Sequence, residues 1–285
     1  MNFGLRETTK DERDFKLGAI TVLPDLKALP KNYRIEILGI KNQRDTDFCT
    51  GFATSGASEP QEGKKLSPEW VFAKSKEISG DPDEWGQEIR VSMKVHTRFG
   101  APEASQCPLS VLNEDDQTLR RIENYPKDLE LKAVKHIKKS FVSVSGQYDH
   151  FDNIRAAIWK YRKENRAVVT GVKFGWRLDQ TTFDYIPENG EGHAMYIIGW
   201  ETENGICRLV YVNSKGESVG HNGVHYVGRA VVNHFVEKYD AFMFIDMEPD
   251  QVKYMISHGI TDKDNWIIEM YKVIVSLFKQ IISNK

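Results

Sequence analysis

Runs rich in β-branched and aromatic residues crowd into the second half of this chain. They cover Ala167–Trp176, His193–Trp200, Cys207–Asn213, His225–Val227 and Ala241–Ile245, with turn residues at Glu188–Glu191, Glu203–Gly205 and Lys215–Gly216 between them. Such runs read as strands joined by tight connections. Apart from one short strand expected at Ala19–Leu23, the first half carries only helix and loop signals. Ser67 caps a helix that enters through Pro68 and continues over Trp70, Val71, Phe72 and Ala73. Gln87–Phe99 reads as a second helix, ended by Gly100, with loops at Ile78–Trp85 and Ala101–Pro108. Further on, Leu129–Ser140 and Phe151–Asn165 read as helices around a strand at Phe141–Gly146. Helices first and sheet second imply an α+β protein of two lobes with a cleft between them.

A chain of 285 residues is long enough for two such lobes. The pattern divides it into a polar arm over 1–34, broken by Pro24 and Pro30, a helical lobe over 35–127, a β-rich lobe over 128–250 and a helical extension over 251–285. A last helix is expected over 263–282. Charged and polar positions such as Glu269, Lys272 and Lys279 interrupt its apolar face, which makes it a poor membrane span. Docking on its own domain is the first expectation for it. A partner, a second copy or a membrane surface are the alternatives.

With a net charge of -2 the chain lacks the basic excess that nucleic-acid binding needs, so no such partner is expected. Only three cysteines occur, Cys49, Cys107 and Cys207, and no C-x-x-C pair. A cysteine-based zinc site is therefore not expected, and no metal or cofactor is assigned. The odd cysteine count and a charged N-terminus without an apolar core point to a reducing compartment and no signal peptide.

The chemistry concentrates at Asn42–Ala53, N-Q-R-D-T-D-F-C-T-G-F-A. Cys49 stands at the head of a small-residue segment able to form a tightly packed helix. A helix N-terminus favours thiolate over thiol, and the thiolate is the nucleophile. Gln43 lies six positions upstream, where its amide could donate to an oxyanion. A lone cysteine is most often a small buried hydrophobe, so the case depends on residues further down the chain. His193 opens an apolar strand after the flexible turn E-N-G-E-G and can project into a cleft as a proton acceptor. Asn213 ends the next strand and can fix an imidazole ring and its tautomer, although N-S-K-G also reads as a plain turn. The other seven histidines, His96, His136, His150, His221, His225, His234 and His258, read as surface turn residues.

Cysteine, histidine and asparagine in that order, with the histidine roughly 140 residues after the cysteine, resemble the papain-like (C1) cysteine peptidases. The resemblance is closer to their bacterial and phage-type members. Gln43 through Ala53, Leu66-Ser67-Pro68, Gly192-His193-Ala194, Asn213-Ser214 with Gly216, and Gly220 to Tyr226 carry it, and it covers roughly residues 3–247. It implies Cys49 as nucleophile, His193 as general base and then acid, and Asn213 as the group that orients His193. Gln43 and the Cys49 main-chain N–H would form the oxyanion hole, and Gly86 would belong to a backbone strip that pairs with a protein or peptide substrate. The implied fold is a helical lobe plus a barrel-like β lobe. A non-catalytic peptide-binding protein, or an acyl or amide transferase on the same residues, are the rival readings.

Three departures bear on the chemistry. Thr46-Asp47-Phe48-Cys49 lacks the family's second cysteine, so its nearby disulfide cannot form. Lys215 replaces a tryptophan that shields the Asn–His bond, which predicts a more exposed bond and an ammonium opposing the imidazolium. Asp47 is expected to disfavour the thiolate if its carboxylate comes close. The arm over 1–34 is expected near the cleft, controlling access to it.

Overall fold

The computed structural model describes residues 4–8, 11–12, 14–174, 190–261 and the main chain of 182–183. The helix read over 263–282 lies outside the described residues. In chain order the elements are β1 (Tyr33–Arg34), α1 (Cys49–Glu62), α2 (Pro68–Ser79), α3 (Ile89–Arg98), α4 (Asp116–Leu119), α5 (Asp128–Ala133), β2 (Ser140–Ser143) and α6 (His150–Lys160). Then come β3 (Val168–Phe174), β4 (Thr182–Phe183), β5 (Glu191–Glu203), β6 (Ile206–Val212), β7 (Val224–Val227), α7 (Arg229–Tyr239), β8 (Ala241–Ile245) and α8 (Pro249–Ser257). The strands form one sheet in the order β2-β8-β3-β5-β6-β7-β4, with β1 added beside β5. All pairings are antiparallel except β4 with β7.

Helix α1 joins two hydrophobic cores. Its Cys49, Ala53 and Ala57, spaced by four, face the core built on the sheet. Its Phe52, with Phe48 just before the helix, faces a second core with Trp70, Phe72, Val95 and Leu129. Small residues on the sheet side are a steric need: a Cβ on Gly56 would lie 2.5 Å from Tyr196 Cε1. Ser67 caps α2 as the sequence implies, its hydroxyl accepting from Trp70 N at 3.3 Å.

The short strand expected at Ala19–Leu23 does not form: a 3-10 turn over Leu17–Ala19 ends in a turn at Ile20 and irregular chain follows. Leu17, Ile20, Thr21 and Leu23 are buried there, and with Ile20 and Thr21 adjacent the buried positions do not alternate as a strand requires. This part of the arm is sewn to the β lobe, with Ser143 N donating to Phe15 O and Gly18 N to Ser145 O, both at 2.8 Å. The helix expected over Leu129–Ser140 stops much earlier. α5 gives way to a 3-10 turn at Val134–His136, and Lys138 N then donates to His96 O at 2.9 Å, which draws the chain out toward β2.

His96, expected at the surface, is fully buried on α3, its ring 5.1 Å from that of Phe244. Neither ring nitrogen has a hydrogen-bond partner among the described residues. Burial, with Lys138 adding to it, holds this imidazole down at about 3. The unfolded chain therefore binds a proton that the folded one refuses. The stability linked to His96 is present above its ordinary value of 6.5 and is lost as pH falls from there toward 3. In His96→Leu the fall in Tm between pH 6.5 and 4, followed by circular dichroism, should be shallower than in the wild type. Equal slopes would remove His96 from the acid sensitivity.

Candidate active site

Cys49 is the first residue of α1, a helix of 14 residues, so its thiol sits at the helix's positive end. The main chain of Ala194 on β5 hydrogen-bonds to the thiol, which places Cys49 against the strand that carries His193. His193 lies opposite Val172 of β3 in the register of the sheet. Asn213 stands directly after β6, where its own N–H donates to Gly223 O at 2.8 Å. Its Oδ1 sits 2.8 Å from His193 Nε2, with both residues buried. Gln43 joins the same cluster. Its N–H donates to Ser214 O at 2.7 Å, its Oε1 accepts from Ser214 Oγ at 2.5 Å and its Nε2 donates to Thr46 O at 2.7 Å. The fold thus gathers Cys49, His193, Asn213 and Gln43 where the two lobes meet.

The Asn213–His193 bond is not exposed, contrary to the expectation from Lys215. Lys215 is itself only 7% exposed, and its Nζ donates to Arg44 O, an anchor that draws the ammonium away from bulk water. Phe174 stands edge-on to the His193 ring at 5.7 Å and supplies apolar cover. The expected electrostatic effect of Lys215 does operate. Burial holds the His193 imidazole down at about 3 and Lys215 adds to this, while the bond to Asn213 works the other way. Burial pushes the Cys49 thiol up to about 11. Main-chain bonds from Ala194 and Gly4 oppose the rise, Asp47 adds to it and Lys215 opposes it. Both shifts favour the neutral thiol and the neutral imidazole over the ion pair.

Gly4 reaches the thiol because the start of the arm lies in the cleft. Leu5 N donates to Gly192 O at 2.9 Å, Arg6 N to Gln87 O at 3.1 Å, and Gln87 N to Gly4 O at 2.7 Å. Gly4 is required by this approach, since a Cβ there would lie 1.9 Å from Asp47 O. The Leu5 side chain fills a pocket over Gly171 and Tyr239, where a Cβ on Gly171 would come 2.2 Å from Leu5 Cδ2. Gly86 sits beside this pairing with both main-chain groups engaged below it: its N–H donates to Asp47 Oδ2 and its C=O accepts from Lys76 Nζ at 2.6 Å. It is the next residue, Gln87, that pairs with the arm.

His225, also expected at the surface, is fully buried on β7, with Nε2 3.1 Å from Asn213 Nδ2. A signal existed in the sequence. Asn222-Gly223 reads as a tight turn; in the fold it pairs His221 with Val224 and leads into β7, whose pairing with β6 sets His225 opposite Tyr211.

Comparison with solved structures gives the fold its class. The chain is similar to xylellain, a cysteine protease from Xylella fastidiosa, with a TM-score of 0.69 at 17% identity over 86% of this chain and 96% of that one. It is also similar to procathepsin B S9 from Trypanosoma congolense, with a TM-score of 0.60 at 14% identity over 80% and 82% of the two chains. Bromelain from Ananas comosus, solved with the E64 inhibitor, gives 0.54 at 16% identity over 75% and 98%. The chain therefore has the papain-like α+β fold, two lobes with the candidate site where they meet. No protein-family model and no curated protein sequence matches it.

Proposed function

We propose that this chain is a cysteine peptidase that hydrolyses peptide bonds through a thioester acyl-enzyme. The observation that carries the reading is the buried His193–Asn213 pair at 2.8 Å beside a cysteine at a helix N-terminus. Asn213 Oδ1 accepts from His193 Nε2–H, which leaves Nδ1 to take the Cys49 proton. The thiolate attacks the carbonyl carbon. The resulting oxyanion is held by the Cys49 N–H and the second N–H of the Gln43 amide. His193 returns the proton to the leaving amine, and water then releases the acyl group. The extended pairing of Gly4 to Arg6 with Gln87 and Gly192 supports a cleft that holds peptide main chain.

A second reading, a binding protein without turnover, is favoured by one observation: the thiol is buried and pushed up to about 11. Labelling with E-64, read by intact mass, separates the two. A peptidase should take one adduct in the wild type and none in Cys49→Ala, and should cleave a peptide library only with Cys49 present. If Cys49 reacts with iodoacetamide and not with E-64, and no peptide is cut, the binding reading replaces the peptidase.

A further inference from the structure

The side chain of Asn213 is held from two sides. Its Oδ1 lies 2.8 Å from His193 Nε2 and also accepts from Ser214 N at 2.8 Å. Its Nδ2 lies 3.1 Å from His225 Nε2. The three side chains sit on adjacent strands, with His193 on β5, Asn213 at the end of β6 and His225 on β7, and all are buried. Phe174 packs edge-on to both imidazoles, 5.7 Å from His193 and 5.4 Å from His225.

An asparagine amide has one acceptor face and one donor face, and rotation by half a turn exchanges them. The exchange matters here. With Oδ1 toward His193, that ring carries its proton on Nε2 and keeps the Nδ1 lone pair for the thiol. With the NH2 group toward His193, Nε2 must accept, the proton moves to Nδ1, and the ring cannot take a proton from Cys49. Something must therefore set the amide. Ser214 N–H rewards the first orientation, and an acceptor facing Nδ2 completes it.

We propose that His225 is that acceptor, a positioning residue that fixes the Asn213 amide and through it the tautomer of His193. His225 carries its proton on Nδ1 and presents the Nε2 lone pair to Asn213 Nδ2. It touches no reacting atom. For turnover the inference rests on the peptidase reading; for the tautomers it stands independently of it.

The test is a two-bond 1H–15N spectrum of the full chain with 15N-labelled histidine, beside steady-state kinetics on a peptide. The wild type should show His193 protonated on Nε2 and His225 on Nδ1; the opposite pair of tautomers overturns the proposal without any variant. His225→Leu removes the acceptor and should shift His193 partly or wholly to the Nδ1–H form, while His225→Gln, which restores an oxygen acceptor, should return it. In turnover, His225→Leu should lower kcat on the order of a hundredfold at unchanged KM, the scale of a misplaced general base. In an Asn213→Ala background the same change should cost nothing more. An unaltered His193 tautomer in His225→Leu, or a full additional loss in the double variant, sinks the proposal. If no peptide is cut by any form, the peptidase reading fails, and the spectra still decide the role of His225.

Discussion

Removing residues 1–8 should raise the rate at which iodoacetamide labels Cys49 at pH 7 by about a hundredfold. The thiolate is the species that reacts, and burial with the arm in place pushes the thiol from an ordinary value of 9.0 up to about 11. Each unit is tenfold in thiolate at neutral pH. The arm is part of that burial, because Gly4 and Leu5 cover the site over Gly171; the Gly4 main-chain bond itself lowers the thiol, so a hundredfold is the gain when the burial is relieved in full. Without it, water reaches both Cys49 and His193, and the ion pair that the closed state disfavours becomes accessible. The full chain should label faster and faster as pH climbs toward 11, whereas the trimmed chain should level off at lower pH. Gly4→Val is the companion experiment. A Cβ at Gly4 would lie 1.9 Å from Asp47 O, so the arm cannot seat and the chain keeps its length. If both variants label no faster than the wild type, the lobes themselves bury the thiol, and the arm has no part in controlling it. E-64 labelling and peptide turnover should rise with the same change.

How much can be read from the residues depends on how local each signal is. The capped start of α2 is legible because Ser67 and Pro68 are neighbours in the chain. Strands β3, β5, β6 and β8 are legible because a β-branched run needs no partner to be recognised. The order of Cys49, His193 and Asn213 is legible as a pattern, but their bonding is set by β5 and β6 lying side by side, which no local rule states. His96 and His225 show the limit. One sits in an amphipathic helix and the other in a four-residue strand, and a single polar residue there looks the same whether it faces solvent or core. Helix α7 escapes a sequence reading although Val231, Val232, Phe235, Val236 and Tyr239 form a helical face, because the Val-Val pair also suits a strand. The occupied cleft is not legible at all. It depends on Gly4, Gly86 and Gly192 approaching from three distant stretches, and a glycine in isolation says nothing about what comes near it.

Arg120→Met should destabilise the protein by about 3–5 kcal/mol, the cost of leaving a buried charge without its partner. Asp47 is fully buried and Arg120 is 4% exposed, and their side chains meet at 2.6 Å. The other Asp47 oxygen accepts from Gly86 N, and Arg120 Nη1 donates to Glu84 O at 3.1 Å. The guanidinium also lies over the Trp85 ring at 5.4 Å. One carboxylate therefore ties the loop just before the nucleophile to the 84–87 strip that forms the cleft wall. The aspartate that sequence alone marks as an opponent of the thiolate does add to the rise of the thiol even though it is paired with Arg120, but burial outweighs it. The double variant Asp47→Asn with Arg120→Met leaves neither charge buried, so it should recover much of the stability lost by Arg120→Met alone. In the double variant the amide oxygen at position 47 can still accept from Gly86 N, but the strip loses the bond from Arg120 Nη1 to Glu84 O. In the double variant KM for a peptide should therefore rise more than kcat falls. Urea unfolding and peptide kinetics on the two variants check both halves. Equal destabilisation in the single and double variants would mean that packing of Arg120 on Trp85 and Phe48, rather than the uncompensated charge of Asp47, accounts for the loss.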